Sequence, residues 1–238
     1  MTVADVEVPQ VARPPKPKRA ARRLLVSLVV FLAVVIAALW YIGVFGGNVR
    51  SIESGRAYRS GTITGASYTG ITARWAGNDL ETVLKRNRIG TVISLRAGSL
   101  KDDWYREELD TCARQGVAHV DLPISARSLP PPPALANLVN LFDHARYPIL
   151  MHCQAGADRT GLASTIYATL YERLPLDRAE SEELTWRYGH FPVDKTRAMD
   201  EFFDLYRRTS GGLDLREWIL NRYPDIYAER SVTKSPGK

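Results

Sequence analysis

Cysteine is nearly absent from this sequence. Cys112 and Cys153 are the only two in 238 residues, too few for the bridged framework of a small secreted scaffold. Histidine is almost as sparse, with four, and no zinc- or calcium-type ligand spacing occurs. Internal repeats are missing, and so is any RNA- or DNA-binding motif. The formal charge of +6 does not point to nucleic acid either. The first 23 residues hold six basic side chains against Asp5 and Glu7, which leaves 26 Lys+Arg against 24 Asp+Glu elsewhere. The basic excess therefore belongs to a tail, where it reads as a topology signal and a binder of anionic lipid head groups.

Long apolar runs are missing too, with one exception. Leu24 to Phe45 is 22 residues without a charge. At about 1.5 Å per residue it spans roughly 33 Å, enough to cross a hydrocarbon core of about 30 Å. Trp40 and Tyr41 sit near its far end, where aromatic residues favour the interface. The run predicts one transmembrane helix. Arg13, Lys16, Lys18, Arg19, Arg22 and Arg23 precede it, whereas Arg50, Arg56 and Arg59 with Glu53 follow. This bias predicts a cytoplasmic N-terminus and a folded domain on the extracytoplasmic side. A cleaved secretory signal is the alternative, but the run is long for one and no small-x-small cleavage site follows. The expected organisation is a basic, proline-containing disordered tail over 1–23, the membrane helix over 24–45, a linker over 46–55, one domain over 56–228 and a disordered tail over 229–238.

Within that domain strands and helices alternate. The pattern predicts helices at about 78–87, 102–115 and 134–145, with strands at 91–95, 117–122 and 147–151. Helices at about 159–172, 177–187, 195–209 and 213–222 complete the chain. Thr64 to Asp79, rich in turn residues, reads as a long loop, with Tyr68 and Trp75 either on the rim of a site or in the core. The order implies an α/β sandwich with a central, mostly parallel sheet flanked by helices, whose ligand binds beyond the carboxyl ends of the strands. Cys153 lies at such an end.

His152-Cys153-Gln154-Ala155-Gly156-Ala157-Asp158-Arg159-Thr160-Gly161 joins the last strand to the next helix. In a strand, loop, helix arrangement the backbone N–H groups of Gln154, Ala155, Gly156, Ala157, Asp158 and Arg159 can converge on one centre, which the positive end of the helix also faces. Phosphate fits there. The same field favours a thiolate, so the Cys153 thiol is expected below the roughly 8.5 of a free cysteine and is nucleophilic. Arg159 returns to the mouth, where its planar fork suits two phosphate oxygens. Thr160 can donate its hydroxyl to the sulfur, and Gly156 lets the backbone turn.

These residues resemble the signature of the cysteine-dependent protein tyrosine and dual-specificity phosphatases, His-Cys, five residues, Arg, then Thr-Gly. Gly55 to Gly61, with Tyr58-Arg59-Ser60-Gly61, is similar to the opening strand of compact bacterial and plant-fungal dual-specificity phosphatases. Thr91 to Arg96 is similar to their next core strand, and Gly116 to Ile124 to the strand that leads to their general-acid loop. The likeness covers most of residues 55 to 172. It implies a dual-specificity-phosphatase-like sandwich and hydrolysis of phosphomonoesters through a phosphocysteine, with no metal or cofactor. It also implies that His152 helps to order the loop.

One feature departs from the family. The general-acid loop usually carries an aspartate, and Ser125-Ala126-Arg127-Ser128-Leu129 has no acid. Asp158, inside the phosphate loop as in myotubularin-like lipid phosphatases, and Asp121, at the end of the preceding strand, are the two candidates. Pro130 to Pro133 stiffens the approach to the next helix and makes the acid-loop region less mobile. Arg96 is expected in a structural ion pair and Cys112 as a small core residue; a Cys112–Cys153 bond would shut the site off. The expected function is a membrane-anchored phosphatase acting on phosphotyrosine or phosphoserine/threonine proteins. The alternatives are a phosphatase of phosphoinositide- or phosphatidylglycerophosphate-like lipids, and a weakly catalytic phosphate-binding module.

Overall fold

The structure, a computed structural model, describes residues 19–65, 68–193 and 196–233. The chain divides into two units, one ending at Trp40 and the other starting at Tyr41. The first is built on α1 (Arg19–Phe45), which holds an 18-residue window, Ala21–Ala38, of mean hydropathy 2.3 with none of it buried. It is long and apolar enough to cross a membrane. The helix begins at Arg19, not Leu24, because Arg19-Ala20-Ala21-Arg22-Arg23 is made of strong helix formers. Residues 19–23, expected within the disordered tail, are thus helical; 1–18 lie outside the described residues, as do the side chains of Trp40 and Tyr41.

The second unit is a five-stranded sheet in the order β1-β2-β5-β3-β4. Its strands are β1 (Arg50–Glu53), β2 (Ala57–Ser60), β3 (Thr91–Ser94), β4 (Ala118–Asp121) and β5 (Ile149–His152). β2, β5, β3 and β4 are parallel, and only β1 runs antiparallel, on the edge against β2. The fold is the α/β class read from the sequence. The linker expected over 46–55 is not there, however. Gly46 to Asn48 is buried and Arg50–Glu53 is a strand of the sheet, turned back through Ser54 and Gly55.

Side chains alternate across the sheet. Leu150 and Val92 face α3 (Leu80–Asn87) and α4 (Asp103–Gln115), in a core with Val83, Leu84 and Cys112. Ile149, Met151 and Ile93 face the opposite way, toward α5 (Pro132–His144) and α6 (Asp158–Leu170). The ends of these helices are written in the sequence. The Asp79 carboxylate accepts from the Thr82 amide at 3.0 Å to start α3, and Gly116, at φ +65°, ends α4 in the left-handed conformation. α6 is buried from Thr160 to Ala168 and carries small residues, so α7 (Leu176–Glu183) packs closely on it.

Thr64 to Asp79 is not all loop, because α2 (Tyr68–Trp75) lies within it. Gly70 hides this helix from a propensity reading. A Cβ there would come within 2.4 Å of the Gly65 carbonyl, so glycine is required for the close approach. Trp75 is 83% exposed rather than in the core, and the Tyr68 side chain lies outside the described residues.

The C-terminal region continues through α8 (Ala198–Thr209), α9 (Leu215–Glu217), a π-helical turn at Trp218–Arg222 and α10 (Tyr223–Thr233). α10 takes in residues 229–233, expected as disordered tail; 234–238 lie outside the described residues. Pro224 reads as a stop in sequence but is tolerated in a helix's first turn. Phe202, Phe203, Trp218 and Tyr223 close this end of the core, each at most 0% exposed, with the Phe202 ring edge-on to both Trp218 and Tyr223. Phe202→Ala is expected to cost about 3–5 kcal/mol in urea unfolding of the full chain in detergent. A cost below about 1 kcal/mol would show that this cluster does not hold the domain together.

Candidate active site

β5 delivers Cys153 to the carboxyl edge of the sheet, and α6 begins five residues later. The loop between them is fixed by its carbonyls. Thr62 donates its hydroxyl to the Cys153 carbonyl at 3.0 Å and its amide to the Gln154 carbonyl at 3.0 Å. Asn48 donates its side-chain N–H groups to the Ala155 and Gly156 carbonyls at 3.1 and 3.3 Å, and Arg59 Nη2 reaches the Gly156 carbonyl at 2.7 Å. With carbonyls 153 to 156 bound on the outside, the amides are left to face the inside of the loop. Gly156 has φ +72°, and a Cβ there would meet the Ser60 carbonyl at 2.7 Å. Only glycine fits.

Arg59 is wholly buried and needs its own support. Its Nη1 donates to the Glu183 carboxylate at 2.6 Å, and its guanidinium lies 4.0 Å over the Tyr188 ring. A buried charge with a partner of this kind is costly to break, about 3–5 kcal/mol when one member is removed. Neither Asn48 nor Glu183 is recognisable as a site residue in the sequence, since their partners stand roughly a hundred residues away.

Cys153 is 2% exposed. Burial pushes its thiol up, but the Arg159 charge, the Thr160 hydroxyl and the amides of Thr160 and Gly156 outweigh it and hold the group below its ordinary value. The Thr160 hydroxyl also lies 3.5 Å from the Ser60 carbonyl. It has one proton, and a thiolate is the stronger acceptor. Arg159 Nη1 is steadied by the Leu95 and Ile124 carbonyls at 3.3 and 3.4 Å, while its buried Nε has no protein partner. Cys153, Arg159 and Thr160 are thus brought together.

A buried network braces the loop from the α4 side. Glu108 Oε1 lies 3.1 Å from His152 Nε2 and 2.9 Å from His119 Nε2. Burial pushes the Glu108 carboxyl up, yet the His152 charge and the hydrogen bonds of both histidines bring it down to about 2. His152 in turn is raised, because Glu108 outweighs its desolvation. Asp121 belongs to the outer end of this network. It sits on edge strand β4, with β3 between it and β5, and its carboxylate accepts from the Tyr105 hydroxyl at 2.5 Å. Its contacts bring it to α4 rather than to the phosphate loop.

Asp158 is the first residue of α6, directly after the loop. Its Oδ1 lies 2.7 Å from Nδ1 of His190, whose Nε2 lies 3.1 Å from Asp200 Oδ2 on α8. His190 is 2% exposed. Burial lowers its basicity, but hydrogen bonds to the Asp158 and Asp200 carboxylates lift it to about 9. Sequence reading did not find His190, which follows a 3₁₀ turn at Trp186–Tyr188 and belongs to no local motif.

Arg96 makes no ion pair within 4 Å among the described residues, contrary to expectation. It stacks 4.1 Å over Trp104 and donates to the Thr62 hydroxyl at 3.2 Å, and burial together with Arg159 lowers its basicity. It is a second guanidinium near the loop. Cys112 is a free thiol in the core on the α3 and α4 side, whereas Cys153 belongs to the core on the other side of the sheet, so the two are not bonded. No cluster of three or more metal-ligating side chains occurs among the described residues.

Two measurements probe this geometry. Glu108 has a folded value of about 2 against an ordinary 4.5, so its contribution is present above pH 4.5 and lost as pH falls toward 2. The melting temperature of the parent should fall over that window, and Glu108→Gln should flatten the fall; an unchanged slope would remove Glu108 from the account. Gly156→Ala should weaken binding of inorganic phosphate by at least about tenfold in calorimetry, the equivalent of ~1.4 kcal/mol. Unaltered affinity would mean that the loop tolerates a side chain there.

Residues 65–171 match the family model described as "Polymorphic toxin system, DSP-PTPase phosphatase". No curated protein matches the chain. Among solved structures, it is similar to TpbA of P. aeruginosa at 21% identity, covering 66% of this chain and 84% of that one, with a TM-score of 0.49. It is also similar to the Siw14 catalytic core, at 15% identity over 78% of this chain and 92% of that one, with a TM-score of 0.49. Tk-PTP in its active form is 19% identical over 68% and 97%, with a TM-score of 0.46. These likenesses are distant and add no weight. The match over residues 65–171 and the His-Cys-x5-Arg-Thr-Gly loop, set between a central strand and a buried helix, support a phosphatase domain of the cysteine-dependent protein tyrosine and dual-specificity type.

Proposed function

We propose that the chain is a membrane-anchored phosphatase that hydrolyses phosphotyrosine and phosphoserine/threonine in proteins through a phosphocysteine intermediate. The observation that carries this reading is the loop with its carbonyls bound outward, the Gly156 and Thr160 amides on the Cys153 sulfur, and Arg159 Nε unpartnered. Phosphate binds the loop amides of Gln154 to Arg159, and the Arg159 fork takes the equatorial oxygens as charge builds on them. The Cys153 thiolate attacks phosphorus in line, the Sγ–P bond forms and the P–O bond to the alcohol breaks. Water then releases phosphate, with Thr160 steadying the departing thiolate. Protonation of the leaving oxygen is assigned to Asp158, since Asp121 is engaged by Tyr105 on the edge strand.

Phosphorylated lipids of the phosphoinositide or phosphatidylglycerophosphate kind are the second reading. The exposed apolar length of α1 favours it, because an anchored enzyme meets lipid head groups at high concentration. The excess of basic residues before Leu24 supports a cytoplasmic N-terminus, with the catalytic domain on the extracytoplasmic side.

Cys153→Ser should abolish hydrolysis of an aryl phosphate by the full chain in detergent, and Arg159→Lys should lower kcat by about 10²–10³-fold. Activity surviving in Cys153→Ser would overturn the covalent route, and an inactive parent that still binds phosphate would identify a binding module. Parallel assays on phosphopeptides and on phosphorylated lipids in mixed micelles decide the substrate. A compartment-specific reporter fused after Lys238 should be active outside the cytoplasm; activity only inside reverses the orientation.

A further inference from the structure

His190 is held between two carboxylates, Asp158 on α6 and Asp200 on α8, one at each ring nitrogen. An ionised carboxylate accepts but cannot donate, so both contacts are satisfied only if two protons are shared along the line from Asp158 to Asp200. These two aspartates are the charged groups that face the ring among the described residues. The lift of His190 to about 9 agrees with a trio that keeps both protons at neutral pH. Asp158 directly precedes Arg159, its Oδ1 is taken by His190, and its side chain is 23% exposed. The ring is therefore sealed in the core, the Asp158 end of the line adjoins the phosphate loop, and the Asp200 side chain at the other end is 26% exposed.

We propose that Asp158, His190 and Asp200 form a proton relay by which the phosphate loop supplies its own general acid in place of the one absent from Ser125 to Leu129. This rests on the phosphocysteine reading above. A phosphate dianion arriving beside Asp158 raises the proton affinity of its carboxylate, which draws the proton from His190 Nδ1 onto the acid. As the Sγ–P bond forms and the P–O bond breaks, that proton passes to the leaving oxygen. Asp158 is then an anion, and His190 is neutral with its remaining proton on Nε2 toward Asp200. In the second step Asp158 takes a proton from the attacking water as oxygen bonds to phosphorus and the thiolate departs, and the proton returns to Nδ1. One water is consumed and the relay ends as it began. Asp158 is the catalytic residue, and His190 and Asp200 are positioning residues that set its proton content.

The test is the leaving-group dependence of phosphocysteine formation, followed as the burst of released phenol from the full chain in detergent. Aryl phosphates are used whose phenols range from dinitrophenol to phenol itself. The parent burst rate should change little across the series. His190→Gln, Asp200→Asn and Asp158→Asn should each slow dinitrophenyl phosphate by less than about tenfold and phenyl phosphate by about 10²-fold or more. Asp200→Glu should restore the parent pattern. A uniform loss across the series, or none, in His190→Gln and Asp200→Asn would reduce the trio to a structural brace and overturn the relay. So would a parent that is itself steeply dependent.

Should both variants fail to fold, the parent alone decides. Its phenyl phosphate rate should fall above about pH 9, where the trio loses a proton, with no such limb for dinitrophenyl phosphate, and matching profiles would refute the relay. The underlying reading fails separately, through absence of a burst in the parent or activity in Cys153→Ser. A burst with no leaving-group effect in the variants strikes the relay alone.

Discussion

The outward fastening of the phosphate-loop carbonyls is the constraint on which the rest of the site depends. A backbone that must point its amides at one centre leaves its carbonyls turned the other way, where they are costly unless bound. Thr62, Asn48 and Arg59 bind them, Arg59 and Thr62 from the end of β2 and Asn48 from the turn before β1. This explains why the segment before β2 folds back as β1 and a buried turn. Asn48 has to reach the loop, and the antiparallel edge strand fixes the chain between it and Arg59.

Buried charge surrounds the loop, and in each case a partner accompanies it. Arg59 is matched by Glu183, Glu108 by His119 and His152, and His190 by Asp158 and Asp200. Replacing such groups with apolar ones often costs little stability, so their presence is better explained by what they orient than by what they stabilise. Arg59 orients carbonyls and Glu108 orients the histidine before Cys153. The field inside the loop is then positive on balance, which suits a thiolate first and a phosphate second.

Much of the fold was legible because the signals were local. Asp79 and Gly116 mark helix ends, the apolar strand before Cys153 is continuous, and the ten-residue loop carries its chemistry in its own spacing. What was not legible depends on distant partners or on an exception to propensity. β1, Arg-Ser-Ile-Glu, has one apolar residue and is half exposed, so no alternation betrays it. α2 contains a glycine demanded by a neighbouring carbonyl. Asp158 could be named from the loop, but its partner His190 lies 32 residues further on, after a short turn with no motif. The missing acid in 125–129 was visible as an absence; what stands beside Asp158 was not.

The sheet that separates the two cysteines carries a chemical consequence. Cys112 is a buried thiol whose environment pushes it up to about 12, and it faces the opposite core from Cys153. An oxidised Cys153 thus has no second thiol within its own domain with which to form a disulfide, and it cannot be shielded in that way from the next, irreversible stage of oxidation. Recovery of the Cys153 thiol from a sulfenic acid falls to thiols of the surroundings. The lifetime of this enzyme under oxidising conditions is set by the chemistry of its compartment, not by a reserve folded into the chain.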